Sequence, residues 1–92
     1  MKYRRKPVEV EAFRLSADVE MIAPDWFTQA VIDEKIEIDR SLLDGHMHVY
    51  GCTIRTAAGR AKAKIGDYIV CDGANIYPCK PKIFARAYER AG

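Results

Sequence analysis

Residues 46–65 read HMHVYGCTIRTAAGRAKAKI, and the way this stretch folds back on itself decides the architecture. His46 to Thr56 reads as one long extended run interrupted by Gly51. A glycine inside a strand pattern marks a bulge or a close backbone approach, so the face presented by the strand changes register there. Ala57-Ala58-Gly59-Arg60 is a turn, and Ala61 to Ile65 returns. A two-residue turn at Ala58-Gly59 would pair Arg55 with Lys62 and Thr53 with Lys64. It would also place Cys52, Ile54, Ala63 and Ile65 together on the opposite face, so one alignment yields both an apolar side and a cluster of cations. Ala58 is a poor residue for the positive φ of a type I′ turn, and a looser loop would shift this pairing.

Working outward, Pro7 to Leu15 alternates, with Val8, Val10 and Ala12 on one side and Glu9, Glu11 and Phe13 on the other, the period of a strand with one face on a core. Ser16 to Ala23 is a connector with room for a helical turn. Pro24 suits the first position of a helix, and Trp26, Phe27, Ala30 and Val31 then recur at helical spacing. Lys35 to Arg40 alternates again before the turn chemistry of Leu43-Asp44-Gly45. Downstream, Gly66-Asp67 turns, Tyr68 to Cys71 is a short strand, 72–75 is a loop and Ile76 to Pro78 is a last strand. Pro81 opens a final helix with Ile83, Phe84, Ala87 and Tyr88 on one side. The expectation is a small α+β fold, an antiparallel sheet of about five or six strands with two short helices on one face, and Trp26, Phe27, Phe84 and Tyr88 pressed against the apolar side.

A chain of 92 residues is expected to form a single domain over 1–92. At 49% hydrophobic and 30% charged residues it has the composition of an ordinary globular protein rather than a disordered one. No apolar run reaches the ~18 to 20 residues that span a bilayer, and the basic start runs into Pro7-Val8-Glu9 rather than a signal-peptide stretch. With three cysteines, an odd number, reduced thiols and a cytoplasmic location are expected. A net charge of +2 does not announce nucleic acid, so the arrangement of charge matters more than its sum.

Arg55, Lys62 and Lys64 are the candidate anion-binding residues. Either Glu9, Glu11 or Glu37 from a neighbouring strand neutralises them, or an anionic partner such as nucleic acid or a nucleotide does. Tyr50, Tyr68 and Tyr77 sit in strands without an RNA-binding signature. Around the last strand-to-helix junction, Tyr77, Lys80, Lys82 and Arg86 form the candidate partner-binding group, although Lys82, Arg86 and Arg90 at four-residue spacing also suit a solvated helix face. Cys79 lies between Pro78 and Pro81, where Lys80 and the coming helix could lower its thiol pKa, but no catalytic partner is recognisable and a small packed thiol is the simpler reading. His46, His48, Cys52, Cys71 and Cys79 are zinc-type ligands with no Cys-x-x-Cys spacing, and His46 and His48 fall on the face opposite Met47 and Val49. No catalytic residue, metal set or cofactor is assigned. Trp26-Phe27 could anchor a partner, with core packing the simpler alternative.

Two stretches carry a resemblance. Met1-Lys2-Tyr3-Arg4-Arg5-Lys6-Pro7-Val8-Glu9-Val10-Glu11-Ala12-Phe13 opens the chain, and Gly66-Asp67-Tyr68-Ile69-Val70, Ile76-Tyr77-Pro78-Cys79-Lys80-Pro81-Lys82-Ile83-Phe84 and Tyr88-Glu89 close it. With Pro24-Asp25-Trp26-Phe27 they resemble a family of small, largely uncharacterised proteins of tailed bacteriophages and prophages. The resemblance implies a phage product working in the bacterial host cell and brings no catalytic residue with it. Its expected role is that of a non-enzymatic accessory protein that binds a host protein or assembly, a host defence system included, with an open sheet edge as a route to homo-oligomers. An anion-binding module is the alternative, and a thiol- or zinc-dependent enzyme is the least supported reading.

Overall fold

The computed structural model describes residues 10–73 and 75–88. These residues form an α+β fold of six antiparallel strands, and they divide between two sheets instead of forming the one continuous layer that periodicity suggested. Strands β1 (Glu11–Arg14), β5 (Tyr68–Cys71) and β6 (Ile76–Cys79) form one sheet in the order β1-β5-β6. Strands β2 (Ile36–Leu43), β3 (His46–Thr56) and β4 (Gly59–Lys64) form the other in the order β2-β3-β4. Among the described residues three helices, α1 (Val19–Ile22), α2 (Asp25–Ile32) and α3 (Pro81–Ala87), replace the expected two, because the connector after β1 closes a full turn of its own.

The division happens at Gly66-Asp67. Gly66 takes φ +99° and its N–H donates to Leu15 O, while Leu15 N–H donates to Asp67 O at 2.8 Å. The chain leaving β4 is thereby hooked onto the end of β1, so β5 starts beside β1 and not beside β4. Between the sheets lies the core: Leu15, Val19, Phe27, Ala30, Ile36, Cys52, Ile54, Ala63 and Ile69, with Phe13, Trp26, Val31 and Ile76 at its margin. Each fully buried large side chain here, Phe27 above all, contributes roughly 1.5–3 kcal/mol by leaving water. In β1 it is Phe13 that turns to the core, meeting Phe27 edge-on at 5.0 Å and Trp26 at 5.7 Å, while Ala12 is exposed. The part of this strand expected over 7–9 lies outside the described residues.

α2 ends in a tight hydrogen-bonded stop. Glu34 sits at φ +62°, its N–H donates to Val31 O and that of Lys35 to Ala30 O, which satisfies the last carbonyls of the helix and turns the chain into β2. β2 and β3 meet at Asp44-Gly45, whose φ values of +52° and +77° give the tight hairpin turn that an Asp-Gly pair favours. At the other end of β3, Ala57 and Ala58 keep negative φ and Gly59 carries φ +122°. The turn is therefore centred on Ala57-Ala58, and the register differs by two from the expected one: Arg55 faces Arg60, Thr53 faces Lys62 and Gly51 faces Lys64. A shift of two preserves the faces, so Cys52, Ile54 and Ala63 still line the core, whereas Ile65 is exposed.

α3 does not share the core face with α2. It lies on the opposite side of the β1-β5-β6 sheet, where Phe84 stacks on Tyr68 at 4.0 Å and 6° and Tyr88 packs on Phe84. The four aromatic rings expected on one apolar side are thus split, Trp26 and Phe27 inside and Phe84 and Tyr88 outside.

Candidate functional site

The outward face of the β2-β3-β4 sheet collects the charges. Cross-strand partners share a face, so Glu37, Thr53 and Lys62 lie in one row, Asp39, Gly51 and Lys64 in the next, and Arg55 and Arg60 in a third. Arg55, Lys62 and Lys64 are therefore brought together as expected, in a different pairing. Arg60, assigned by its sequence to the turn, joins them directly opposite Arg55. Two guanidinium groups set across a ladder repel each other, and such a pair persists in a fold when counter-charges lie near or solvent screens it. Glu37 and Asp39 occupy the same face as four cations. Asp39 is engaged by Thr53, whose hydroxyl donates to its carboxylate at 3.0 Å. Among the described residues the ion pairs are Arg40 with Glu20 and Lys80 with Asp67, so none links Glu37 or Asp39 to these cations. Glu11 lies on the other sheet and Glu9 outside the described residues.

Two hollows adjoin this face. One, of about 480 Å³, is lined by Val31, Glu34, Lys35, Glu37, Arg55 and Arg60. The other, of about 560 Å³, lies toward the loop before β6 and is lined among others by Arg55, Thr56, Asp72, Ile76 and Tyr77. Lys35, Ile36 and Arg55 line both.

The junction group is placed differently. Tyr77 and Tyr88 share a hydrogen bond between their hydroxyls at 2.7 Å, and that bond, then partial burial, pushes the Tyr77 phenol well above its usual range. Lys80 reaches the buried carboxylate of Asp67, which also accepts the Lys64 N–H at 3.1 Å. Two of the four residues therefore have partners within the fold, while Lys82 and Arg86 stay exposed on α3. Pro78 lies on β6, an edge strand, and Pro81 occupies the first turn of α3 with Lys80 as its cap, so the Pro-Cys-Lys-Pro segment is a rigid corner. The Cys79 thiol is pushed up, by burial first and then by Asp67, the opposite of the activation that Lys80 could have supplied. Its sulfur donates instead to Lys80 O at 3.7 Å. Cys52 sits fully inside the core, where burial, then Asp39 and Asp67, raise its thiol to about 12. Among the described residues no three metal-type side chains come together, and the five zinc-type residues are spread over core, sheet and hairpin tip.

One surface had no assignment from sequence. Between Asp39 and Arg40 the β2–β3 register shifts, leaving Tyr50 as the extra residue, so Arg40 faces Val49, Leu42 faces Met47 and Leu43 faces His46. This is the register change that Gly51 signalled. Beyond it the hairpin continues as a two-stranded arm, and Leu42, Leu43 and Met47 are 69%, 57% and 64% exposed. His46 and His48 do lie opposite the Met47 and Val49 face. The available signal was Leu42-Leu43 directly beside Asp44-Gly45, a pair of large apolar residues at a turn, where burial is hardest to achieve.

Comparison of the chain with protein-family models, with curated proteins and with solved structures returned no match. Among the described residues no helix is long and apolar enough to cross a membrane.

Proposed function

We propose that this chain is a non-enzymatic accessory protein of a phage or prophage, acting in the host cytoplasm by binding an acidic surface of a host protein or assembly, with defence systems within that target class. The observation that carries this reading is the basic face: Arg55, Arg60, Lys62 and Lys64 stand on one side of a sheet, and the two carboxylates beside them make no ion pair with them among the described residues. A complementary acidic partner removes the Arg55–Arg60 repulsion on binding and is steered to the site by long-range attraction. The binding reading also fits the thiols of Cys52 and Cys79, which burial and nearby carboxylates push up, away from the activation that a nucleophilic thiol needs.

The test is affinity capture from infected host cells with the wild type and with a triple variant, Arg55→Glu, Lys62→Glu and Lys64→Glu. The expected outcome is a host protein with an acidic surface, retained by the wild type at physiological salt, released as salt rises and lost from the variant. Nuclease treatment decides the anion-binding alternative: a protein partner survives it, whereas capture that disappears with nuclease assigns the face to nucleic acid. Equal retention by wild type and variant would remove the basic face from the argument.

A further inference from the structure

Past Val49, which still packs at the core margin, the tip of the β2–β3 hairpin has lost the support of both β4 and the core, yet it presents Leu42, Leu43 and Met47 to water. A two-stranded ribbon is marginally stable on its own, and flat exposed apolar strand edges are normally guarded. The other edges here are guarded: β1 by Glu11 and Arg14, β4 by Arg60, Lys62 and Lys64, β6 by Pro78, which lacks an N–H. The outer edge of β2, which among the described residues pairs only with β3, carries neither charge nor proline over Ser41, Leu42 and Leu43.

We infer that this edge is covered by the same edge of a second copy of the chain, two arms pairing antiparallel about a twofold axis through Leu42. Side-chain alternation requires same-face partners, so the axis passes through a residue. Centring on Arg40 sets arginine against arginine, and centring on Ser41 sets Arg40 against leucine and Asp39 against Leu43. Centring on Leu42 sets leucine against leucine, Ser41 against Leu43 and Arg40 against Asp44, the last pair twice, so that opposite charges close both ends of an apolar seam. Arg40 also meets Glu20, and its guanidinium has donors for both. Being exposed, the two end pairs specify register more than strength. On one face the Leu42 and Met47 side chains of both copies then form a single cluster.

The area suits a weak dimer. Leu42, Leu43 and Met47 present on the order of 350 Å² per copy, and the strand edge with Arg40 and Asp44 brings a symmetric pair to roughly 1,000 Å² in total, the lower range of specific interfaces. Main-chain hydrogen bonds between the arms supply the remainder, as in strand addition.

Sedimentation velocity from about 10 to 500 μM, a range that brackets micromolar dissociation constants, tests the inference. The wild type is expected to pass from monomer to dimer, and Leu42→Lys, at an exposed position, to be monomeric or at least about tenfold weaker. Ile83→Lys, on exposed α3, is expected to dimerise as the wild type does. Hydrogen exchange at the Leu42 amide, which points to the outer edge while those of Ser41 and Leu43 point to β3, should slow as concentration rises. A wild type that stays monomeric throughout, or a dimer that Leu42→Lys leaves equally tight, would overturn the assignment. The basic-face triple variant should dimerise normally, which separates this result from the fate of the partner reading.

Discussion

Gly51 is the residue on which the sheet is most exposed to a single added methyl group. A Cβ built there would lie 2.3 Å from the Ala63 carbonyl oxygen and 3.4 Å from Lys64 Cα, both main-chain atoms of β4 that cannot rotate away. Relief requires β4 to move outward by about 1 Å against a normal strand spacing of about 4.8 Å. That displacement stretches the ladder bonds around the Gly51–Lys64 and Cys52–Ala63 pairs and loosens Cys52 and Ala63, which are in the core. Two ladder bonds weakened by about 0.5 kcal/mol each, with overpacking of about 1–2 kcal/mol, give an expected loss of about 2–3 kcal/mol for Gly51→Ala. In a domain of this length that lowers Tm by roughly 8–24 °C. Thermal unfolding followed by circular dichroism, with urea titration for the free energy, measures it. Gly73→Ala is the control: its φ of +96° strains an alanine, but nothing lies within 4 Å of the new atom, so the cost is the backbone term of about 1 kcal/mol. If Gly51→Ala costs no more than Gly73→Ala, β4 does not lie against Gly51 and the bulge has been given the wrong neighbours.

Two further predictions concern buried polar chemistry. Cys52 has a folded pKa of about 12 against 9.0 for the unfolded thiol, so its contribution is complete below pH 9 and falls as pH rises toward 12, because the unfolded chain then releases the proton more readily. By pH 10 the loss is about 1.4 kcal/mol, and a Cys52→Ala variant, although less stable throughout, should show a flatter decline in urea midpoint between pH 8.5 and 10.5. Asp67→Ala should cost about 1–3 kcal/mol by leaving the Lys64 N–H and Lys80 without their acceptor, whereas Lys80→Met should cost under about 1 kcal/mol because its ammonium is largely exposed; urea denaturation of both variants checks the asymmetry.

Alternation made the strands legible wherever one face is buried, as in Ile36 and Ile38 or Cys52 and Ile54, and the glycine in the middle of β3 marked the bulge for a physical reason that the Gly51–Ala63 approach makes explicit. Local pattern was silent on which strands share a sheet. β4 and β5 have the same periodicity whether adjacent or not, and the decision rests on hydrogen bonds between Leu15 and Gly66-Asp67, about fifty residues apart in sequence. The spacing of Phe84 and Tyr88 likewise identified a helix face but not the side of the sheet it would cover. Charge clustering survived a wrong register because a displacement of two keeps parity, and Arg60 was missed because Gly59, not Ala58, took the positive φ. Leu42, Leu43 and Met47 look like core residues by composition; they are exposed because the core margin ends at Val49, just past the bulge.

The arm and the basic face belong to one sheet, and this couples the two proposals geometrically. A twofold axis perpendicular to a paired sheet carries each face onto the same side, so the basic faces of two copies joined at Leu42 look in the same general direction, rotated by the twist of about 20–25° per strand. Along β2 the row of Glu37, Thr53 and Lys62 lies five residues from Leu42, or about 17 Å, which sets the two basic faces roughly 35 Å apart. A pair of weak, salt-sensitive sites at that separation favours a target that repeats its acidic surface, since the second contact forms at the effective concentration fixed by the first. A repeating assembly engages both sites of the dimer, whereas a single acidic protein engages one. Weak self-association is then no defect of the interface, because dilution to monomers lowers avidity without altering either basic face.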